Sequence, residues 1–468
     1  MKVLLVEDED RSVRQIMPRI ERAAPGCVVT TVMCRDDAID AITSDEFDLI
    51  VCDVRIPPTR ASADISESHG LLVSATARQS VPGTPVIFLT AFSTGRDTRT
   101  QLATGATHQA FGIANYPMAF LCEKDDLDEI EARISTINNS IESLASDCNI
   151  VDSDVSDSMF LRAVHSYARQ IGHRTVTIRS AGGLSGATTG RVRLVADSGD
   201  EANVFMKVVP TATALSEYGQ FNLYVLNRIQ PGYSAPFIPP MLAGLRGKAA
   251  LISTLANDRC LPLFELLRER PHEAAAAVHK LKEATKPWWH AGQPETVSLT
   301  ELRQRRLPDR AAAAAGISWM YLEQEATLQV PIKTSVAHGD LHGDNVFVDQ
   351  SGRPIMIDFG DVGPALAPLD PVTLELSILF HPNGPARDTQ WGQKVDGGTW
   401  SDAETFASES PFAEFILACR SWAMETDTAE SVHAVAYAHA LRQVKYADGP
   451  TMLAEAIATS ARSRLLRT

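Results

Sequence analysis

The chain has 468 residues, 44 % apolar and 22 % charged, a globular balance that excludes a mostly disordered or fibrous chain. Its net charge is −15, with 13 basic against 22 acidic residues in the first 145, and it has no broad basic face of the kind nucleic-acid binders carry. No apolar run approaches the ~18 residues of a membrane span, and the opening MKVLLVEDED turns acidic too soon for a signal peptide. At roughly 100–200 residues per domain, two or three domains are expected. The seven cysteines (Cys27, Cys34, Cys52, Cys122, Cys148, Cys260 and Cys419) form no C-x-x-C pair. Their odd number and wide spacing predict reduced thiols and a cytoplasmic protein, not a disulfide framework or zinc site. The basic cluster RQRR (303–306) reads as a solvated helix face.

Along the chain, VLLV (3–6) is a short apolar run suited to a buried parallel strand, and DRSVRQIMPRIERA after it is an amphipathic helix. VVTTV (28–32), FDLIVCDV (47–54) and TPVIFLTA (84–91) read as strands, with CRDDAIDAIT and HGLLVSATARQS as helices between them. This alternation predicts a doubly wound parallel sheet with its site at the carboxyl ends of the strands. A helical, polar stretch ending in DSDVSDS (152–158) reads as a linker region. TVTIRS, RVRLVAD and NVFMKVV, broken by Gly-rich turns, predict an antiparallel meander. Beyond residue 212 helical patterns dominate, apart from strand signals at ALIST (250–254), SVAH (335–338), NVFVD (345–349) and PIMID (354–358). The Ala-rich runs at 274–277 and 311–315 favour helix.

Two constellations carry chemistry. In the first, Glu7 and Asp8 follow the first strand, Asp53 ends the third strand run and Thr90 ends the next. Converging carboxylates repel one another, and a hard cation such as Mg²⁺ relieves that repulsion. An aspartate beside such a cation can accept a phosphoryl group, and a hydroxyl and an ammonium can bind the new phosphate oxygens. VLLVEDED, LIVCDVRIP and VIFLTA resemble a response-regulator receiver domain over about residues 1–135. The resemblance implies a flavodoxin-like α/β fold, Asp53 as phospho-acceptor, Glu7, Asp8 and Asp53 as Mg²⁺ ligands, and Thr90 as the switch hydroxyl. The sequence departs from the family in a long loop after Asp53, in the spacing of 34 positions from Thr90 to Lys124, and in Asp125 after the lysine. Lys124 is therefore open to two readings, the phosphate-binding lysine or an exposed lysine at a helix entry.

In the second constellation, VAHGDLHGDNVFVDQSGRPIMIDFG (336–360) places Asp340, Asn345 and Asp358 around a turn between strand runs. One carboxylate can orient a hydroxyl and take its proton, while an amide oxygen and a second carboxylate hold Mg²⁺ against nucleotide phosphates. Upstream, AGGLSGATTG offers Gly182, Gly183, Ser185 and Gly186, small residues whose backbone can approach phosphates. Lys207 lies on the third strand run and Glu217 on the helix after it, the arrangement of protein kinases. Order and spacing resemble the aminoglycoside-phosphotransferase and choline-kinase branch of the kinase-like fold over about 175–460. That resemblance implies an α+β bilobal domain, ATP as donor, Asp340 as catalytic base, and Asn345 and Asp358 as Mg²⁺ ligands. It also implies Lys207 as phosphate contact with Glu217 as its partner, a hinge across 250–258, His338 and His342 as loop-shaping residues, and Asp370 as a helix cap. Trp288, Trp289 and His290 read as buried packing rather than a substrate wall.

The expected organisation is a receiver (1–135), a helical linker (136–174), an N-lobe (175–255) and a helical C-lobe (256–468). The expected protein is a two-component signalling enzyme. An upstream histidine kinase phosphorylates Asp53, and this biases an ATP-dependent phosphotransferase, through a domain interface or a homodimer, toward an unknown hydroxyl acceptor. No nucleic acid and no membrane span are expected. A nucleotide-binding pseudokinase recruited through the receiver is the alternative of a different class. A third reading is an enzyme modifying aminoglycosides or other hydroxylated compounds, where an acidic cleft would favour cationic substrates.

Overall fold

The structure, a computed structural model, describes residues 1–90, 96–103, 107–180, 187–255, 260–317, 325, 328–446 and 449–466. It divides into two compact units, Met1–Tyr218 with Phe237–Ala256 and Gly219–Pro236 with Asn257–Thr468. No described helix is long and apolar enough to cross a membrane. All seven cysteines are free thiols.

The first unit begins with β1 (Lys2–Val6), α1 (Asp10–Ala23), β2 (Val28–Val32), α2 (Arg35–Ser44), β3 (Leu49–Asp53), α3 (Glu67–Ser80) and β4 (Val86–Thr90). It continues with α4 (Arg96–Ala103), β5 (Thr107–Ala110), β6 (Ile113–Pro117), β7 (Ala119–Glu123), α5 (Leu127–Glu142) and α6 (Leu144–Asp147). Five strands form a parallel sheet in the order β2-β1-β3-β4-β7. Val3–Val6, Leu49–Cys52 and Ile87–Leu89 are buried, as strands covered by helices on both faces must be. This is the doubly wound parallel sheet that the alternation predicted, in the flavodoxin-like form that the family resemblance implied.

The unusual spacing before Lys124 has a structural cause. Between α4 and β7 the chain inserts the antiparallel hairpin β5–β6. Its tip turns through positive φ at Phe111 (54°) and Gly112 (74°). The Phe111 ring is buried, and it meets Tyr116 edge-on at 5.2 Å.

The rest of the first unit is β8 (Asn149–Ser153), α7 (Ser158–Ile171), β9 (Thr175–Ser180), β10 (Thr188–Val195), β11 (Glu201–Pro210), the part of α8 (Thr211–Tyr224) up to Tyr218, β12 (Phe237–Met241) and β13 (Lys248–Leu255). The sheet order is β12-β13-β11-β10-β9-β8. The expected meander β9–β10–β11 is antiparallel, and β8 adds a parallel edge strand beside β9. β8 comes from the stretch read as linker. α7 covers the sheet, packing Phe160, Val164 and Tyr167 against Ile178, Val192 and Met206.

The receiver and this sheet meet at the amino-terminal ends of the receiver strands, opposite the strand ends where a site is expected. Asp48, just before β3, is buried with Arg162 of α7 at 2.5 Å and with Arg246 of the β12–β13 turn at 2.8 Å. The Lys2 amide also donates to it at 2.7 Å. Gly244 (φ 81°) lies so close to Phe111 that an added Cβ would sit 2.8 Å from the ring. Arg169 Nη1 donates to the Phe111 carbonyl at 3.0 Å. The hairpin insertion thus seats the receiver on its neighbour.

The second unit carries β14 (Leu261–Pro262), α9 (Leu263–Glu269), α10 (Pro271–His290), β15 (Gln293–Ser298), α11 (Leu299–Arg306), α12 (Asp309–Ala314) and β16 (Gln329–Ala337). After a short 3-10 turn at Gly343–Asn345 come β17 (Val346–Val348), β18 (Pro354–Met356) and β19 (Gly363–Leu366). The helices α13 (Leu369–Phe380), α14 (Ala403–Ala407), α15 (Ala413–Thr426), α16 (Ala429–Gln443) and α17 (Thr451–Leu465) complete it. Two small sheets, β14-β17-β18 and β15-β16-β19, support the loops described below. The run QPETVS, which has no clear alternation, becomes β15 because β16 pairs with it along its whole length. Every residue of α13 is buried, and its Glu375 is neutralised by Arg420 (2.5 Å), whose guanidinium lies 3.9 Å from the Trp400 ring. Trp288 and Trp289 are buried, and Trp288 Nε1 donates to the Tyr224 carbonyl at 2.7 Å, which fits packing rather than a substrate wall.

Candidate functional site

Burial of the receiver strands forces their polar residues to the carboxyl ends, where the apolar runs stop. Glu7, Asp8 and Asp53 gather there, with one carboxylate oxygen from each within 4.8 Å of the others. Lys124, at the end of β7, reaches the same point. Its Nζ donates to Asp53 Oδ2 at 2.7 Å and to Glu7 Oε1 at 3.0 Å, with Glu9 Oε2 at 3.5 Å. This removes the reading of Lys124 as an exposed lysine. Glu9 joins the site although only the acidic run had drawn notice to that segment. Thr90 is buried, and its hydroxyl donates to the Cys122 carbonyl at 3.2 Å. The long loop after Asp53 closes on itself through a bridge between Ile56 and Ser66.

The electrostatics of this cluster favour a cation. Burial, then the charge of Asp53, pushes the Glu7 carboxyl up to about 7. Glu7 Oε2 is buried with no hydrogen-bond partner among the described residues. Burial also raises Asp8, and Asp53 adds to the shift. Lys124 loses charge stability by burial, but Asp53 and Glu7 outweigh that and raise it above its ordinary value. One ammonium among three carboxylates leaves net negative charge, so the donor set fits Mg²⁺.

The second unit builds its loop around Asp370. Asp370 lies in the first turn of α13, whose N-cap is Pro368, so it does not cap the helix as expected. Its buried carboxylate instead accepts the His338 amide at 2.7 Å and the Gly339 amide at 3.1 Å. Gly339 has φ 86°, and an added Cβ would lie 2.5 Å from the Asp361 carbonyl, so only glycine fits. His338 Nε2 meets the Ile357 carbonyl at 2.9 Å, tying the loop to the segment that carries Asp358. Asp340 follows this pinned turn. Asn345 Nδ2 donates to the Asp340 carbonyl at 3.0 Å, which leaves its side-chain oxygen for a cation. Asp358 sits at φ 58°, in the left-handed region that non-glycine residues rarely adopt, a conformation characteristic of functional sites. The amide oxygen and carboxylate are the hard donors Mg²⁺ prefers.

His342 stacks on His381 at 4.3 Å, and burial, then His381, depresses it to about 3, so it is a neutral packing residue of the loop. His381 has no sequence motif; it reaches the loop from the end of α13. In the first unit, Lys207 Nζ donates to Glu217 Oε2 at 3.0 Å, both buried, as the kinase pattern required. Gly182, Gly183, Ser185 and Gly186, and the end of the expected hinge at 256–258, lie outside the described residues.

RQRR (303–306) is not a solvated face. Arg303 is buried and paired with Glu325 at 3.0 Å and Asp309 at 2.7 Å. Arg305 is the outward member, paired with Glu295 and Glu301, both at 3.0 Å. Arg306 turns inward without an ion pair among the described residues.

Residues 3–109 match the family model of the response regulator receiver domain. Residues 253–399 match that of the phosphotransferase enzyme family. Lys124, Lys207 and Glu217 lie outside the matched spans. No curated protein matches the chain. Among solved structures, a Francisella response regulator receiver domain is 22 % identical over 30 % of this chain and 96 % of its own, with a TM-score of 0.23. Choline kinase from Streptococcus pneumoniae is 10 % identical over 66 % of this chain and 100 % of its own, TM-score 0.34. An aminoglycoside phosphotransferase from Alicyclobacillus acidocaldarius is 12 % identical over 59 % of this chain and 91 % of its own, TM-score 0.33. The chain thus carries two segments with separate family matches, 3–109 with the response regulator receiver domain and 253–399 with the phosphotransferase enzyme family.

Proposed function

We propose that the chain is a two-component signalling enzyme. Its receiver takes a phosphoryl group on Asp53 from a histidine kinase and thereby regulates a phosphotransferase that moves the γ-phosphoryl of ATP to a hydroxyl acceptor. The observation that carries the transferase reading is the pinned turn. Asp370 holds two consecutive backbone amides, and the turn they define presents Asp340 beside Asn345.

Asp340 orients the acceptor hydroxyl and takes its proton. The acceptor oxygen bonds to the γ-phosphorus while the bond to the β–γ bridging oxygen breaks, and that electron pair leaves with ADP. Asn345 and Asp358 would hold the metal, and Lys207, kept extended by Glu217, would contact the nucleotide phosphates. When bound, Mg²⁺ supplies charge neutralisation at the phosphate oxygens. In the receiver, an Asp53 carboxylate oxygen bonds to phosphorus as the phosphorus–nitrogen bond of the donor's phosphohistidine breaks and the imidazole leaves with that electron pair; Glu7 and Asp8 would complete the cation site, and Lys124 would bind the product oxygens. Thr90 turns its hydroxyl from the Cys122 carbonyl toward the new phosphate as the switch.

The test is ADP release by the full chain with Mg²⁺ and ATP, with and without acetyl phosphate. Asp340→Asn is expected to lower the rate by at least about 10²-fold, the usual contribution of a positioned base. Asp53→Asn is expected to remove the response to acetyl phosphate and keep the basal rate. Turnover that survives Asp340→Asn sinks the transferase reading. A response that survives Asp53→Asn sinks the regulatory one.

A further inference from the structure

Arg306 ends α11, and its surroundings differ from those of its neighbours. Ser298 caps the helix by accepting the Glu301 amide at 3.1 Å, which fixes the rotation of the last turn. Arg303 and Arg305 each find carboxylates in that setting. Arg306 Nε and Nη2 are buried and have no hydrogen-bond partner among the described residues. α11 packs on α16, which places His439 and Arg442, one turn apart, toward the same region. Arg442 has no ion pair among the described residues either. Burial first, then Arg442, depresses the Arg306 guanidinium to about 10, while Asp340, Asp361 and Asp370 act on it in the opposite direction. Burial, then Arg306 and Arg442, also holds His439 well below its ordinary value, so it adds no positive charge.

A simple counter-charge role does not account for this. Asp370 spends its two oxygens on the His338 and Gly339 amides, and neither Asp340 nor Asp361 accepts from Arg306. A helix-end arginine that served the dipole would donate to the last carbonyls, and this one donates to none. Buried guanidinium donors without acceptors are unfavourable and rare, so such a group needs an explanation, and an absent ligand is one. Nε and Nη2 form the side edge of the guanidinium, the edge that pairs two-to-two with a carboxylate or phosphate.

We propose that the Arg306 side edge, supported by Arg442, binds an oxyanion carried by the same hydroxyl compound that Asp340 deprotonates. The acceptor is then a hydroxy acid or a hydroxylated phosphate ester. A cationic acceptor of the aminoglycoside or choline kind would have to lie beside two arginines that have no ion pair among the described residues. This rests on the transferase reading for the role of Asp340, but the binding itself does not.

The test is titration calorimetry on the full chain with D-glycerate, with glycerol 3-phosphate and with choline. At least one of the two anions is expected to bind, which separates carboxylate from phosphate. Arg306→Met and Arg442→Met are each expected to weaken it at least tenfold. Arg306→Lys, which keeps the charge and loses the two-donor edge, is expected to fall between. Arg305→Met on the outer face leaves binding unchanged. If neither anion binds, if binding survives both methionine variants, or if choline binds and Arg306→Met tightens it, the proposal is overturned. Anion binding that persists in Asp340→Asn while the wild type forms no ADP sinks the transferase reading and leaves this one standing.

Discussion

Lys124 holds two buried carboxylates by one ammonium group. Without it, Glu7 and Asp53 face each other with only Glu7's raised affinity for a proton to soften the repulsion. Removing one partner of a buried ion pair costs about 3 kcal/mol or more. Lys124→Ala is therefore expected to lower the melting temperature in metal-free buffer, and Mg²⁺ is expected to restore part of the loss. Melts that coincide for the two proteins in metal-free buffer would contradict this. The acidic residues of this site were legible because each follows an apolar strand run directly. Lys124 was not, because the inserted hairpin lengthens the spacing before it, and only the 2.7 Å contact with Asp53 places it beside the carboxylates. Arg306 was hidden for another reason. Successive helical residues point about 100° apart, so a cluster that looks uniform as letters places Arg303 against Glu325, Arg305 outward and the Arg306 guanidinium inward, without a hydrogen-bond partner for its Nε and Nη2 among the described residues.

The inserted hairpin β5–β6 shows the same limit for a whole element. Its sequence, THQAFGIANYP, alternates poorly, and most of β6 is exposed, so nothing marks it as a strand pair. An isolated two-stranded hairpin is marginal in water, and this one is held by its tip. Phe111→Ala empties the space between Tyr116 and Gly244. It is expected to destabilise the first unit by about 3 kcal/mol, in line with other buried Phe deletions. Chemical denaturation measures this, and a loss under about 1 kcal/mol would mean that the hairpin is not an anchor. The turn pinned by Asp370 was the opposite case. HGDLHGDN (338–345) and IDFGD (357–361) are short unbroken motifs, so Asp340, Asn345 and Asp358 could be nominated from their letters alone. Asp370 was misread as a helix cap because its true partners, the amides of His338 and Gly339, lie more than thirty positions upstream.

At the scale of the molecule, Asp48 links three segments that no motif connects: the Lys2 amide, Arg162 on α7 and Arg246 in the β12–β13 turn. Burial pushes its carboxyl up, but Arg246 and Arg162 outweigh that and hold it at about 2, against an ordinary 3.8. A carboxyl whose folded value is depressed stabilises the fold above its unfolded value and loses that contribution as pH falls toward the folded one. The contribution is about 2 kcal/mol, fully present above pH ~4 and fading toward pH 2. Asp48→Asn is expected to be less stable at pH 6 and to lose less on acidification, as read by urea melts at pH 6 and pH 3. Equal pH slopes for the two proteins would count against the link. The receiver is thus joined to its neighbour by a socket as well as by chain. Phe111 and Asp48 are finished only when Gly244, Arg162 and Arg246 arrive from more than fifty positions downstream. A receiver excised at its motif boundary would carry a wet aromatic tip and an acid stripped of its counter-charges. Recombination that swapped in another receiver end to end would leave the socket vacant, so plug and socket can only be inherited together.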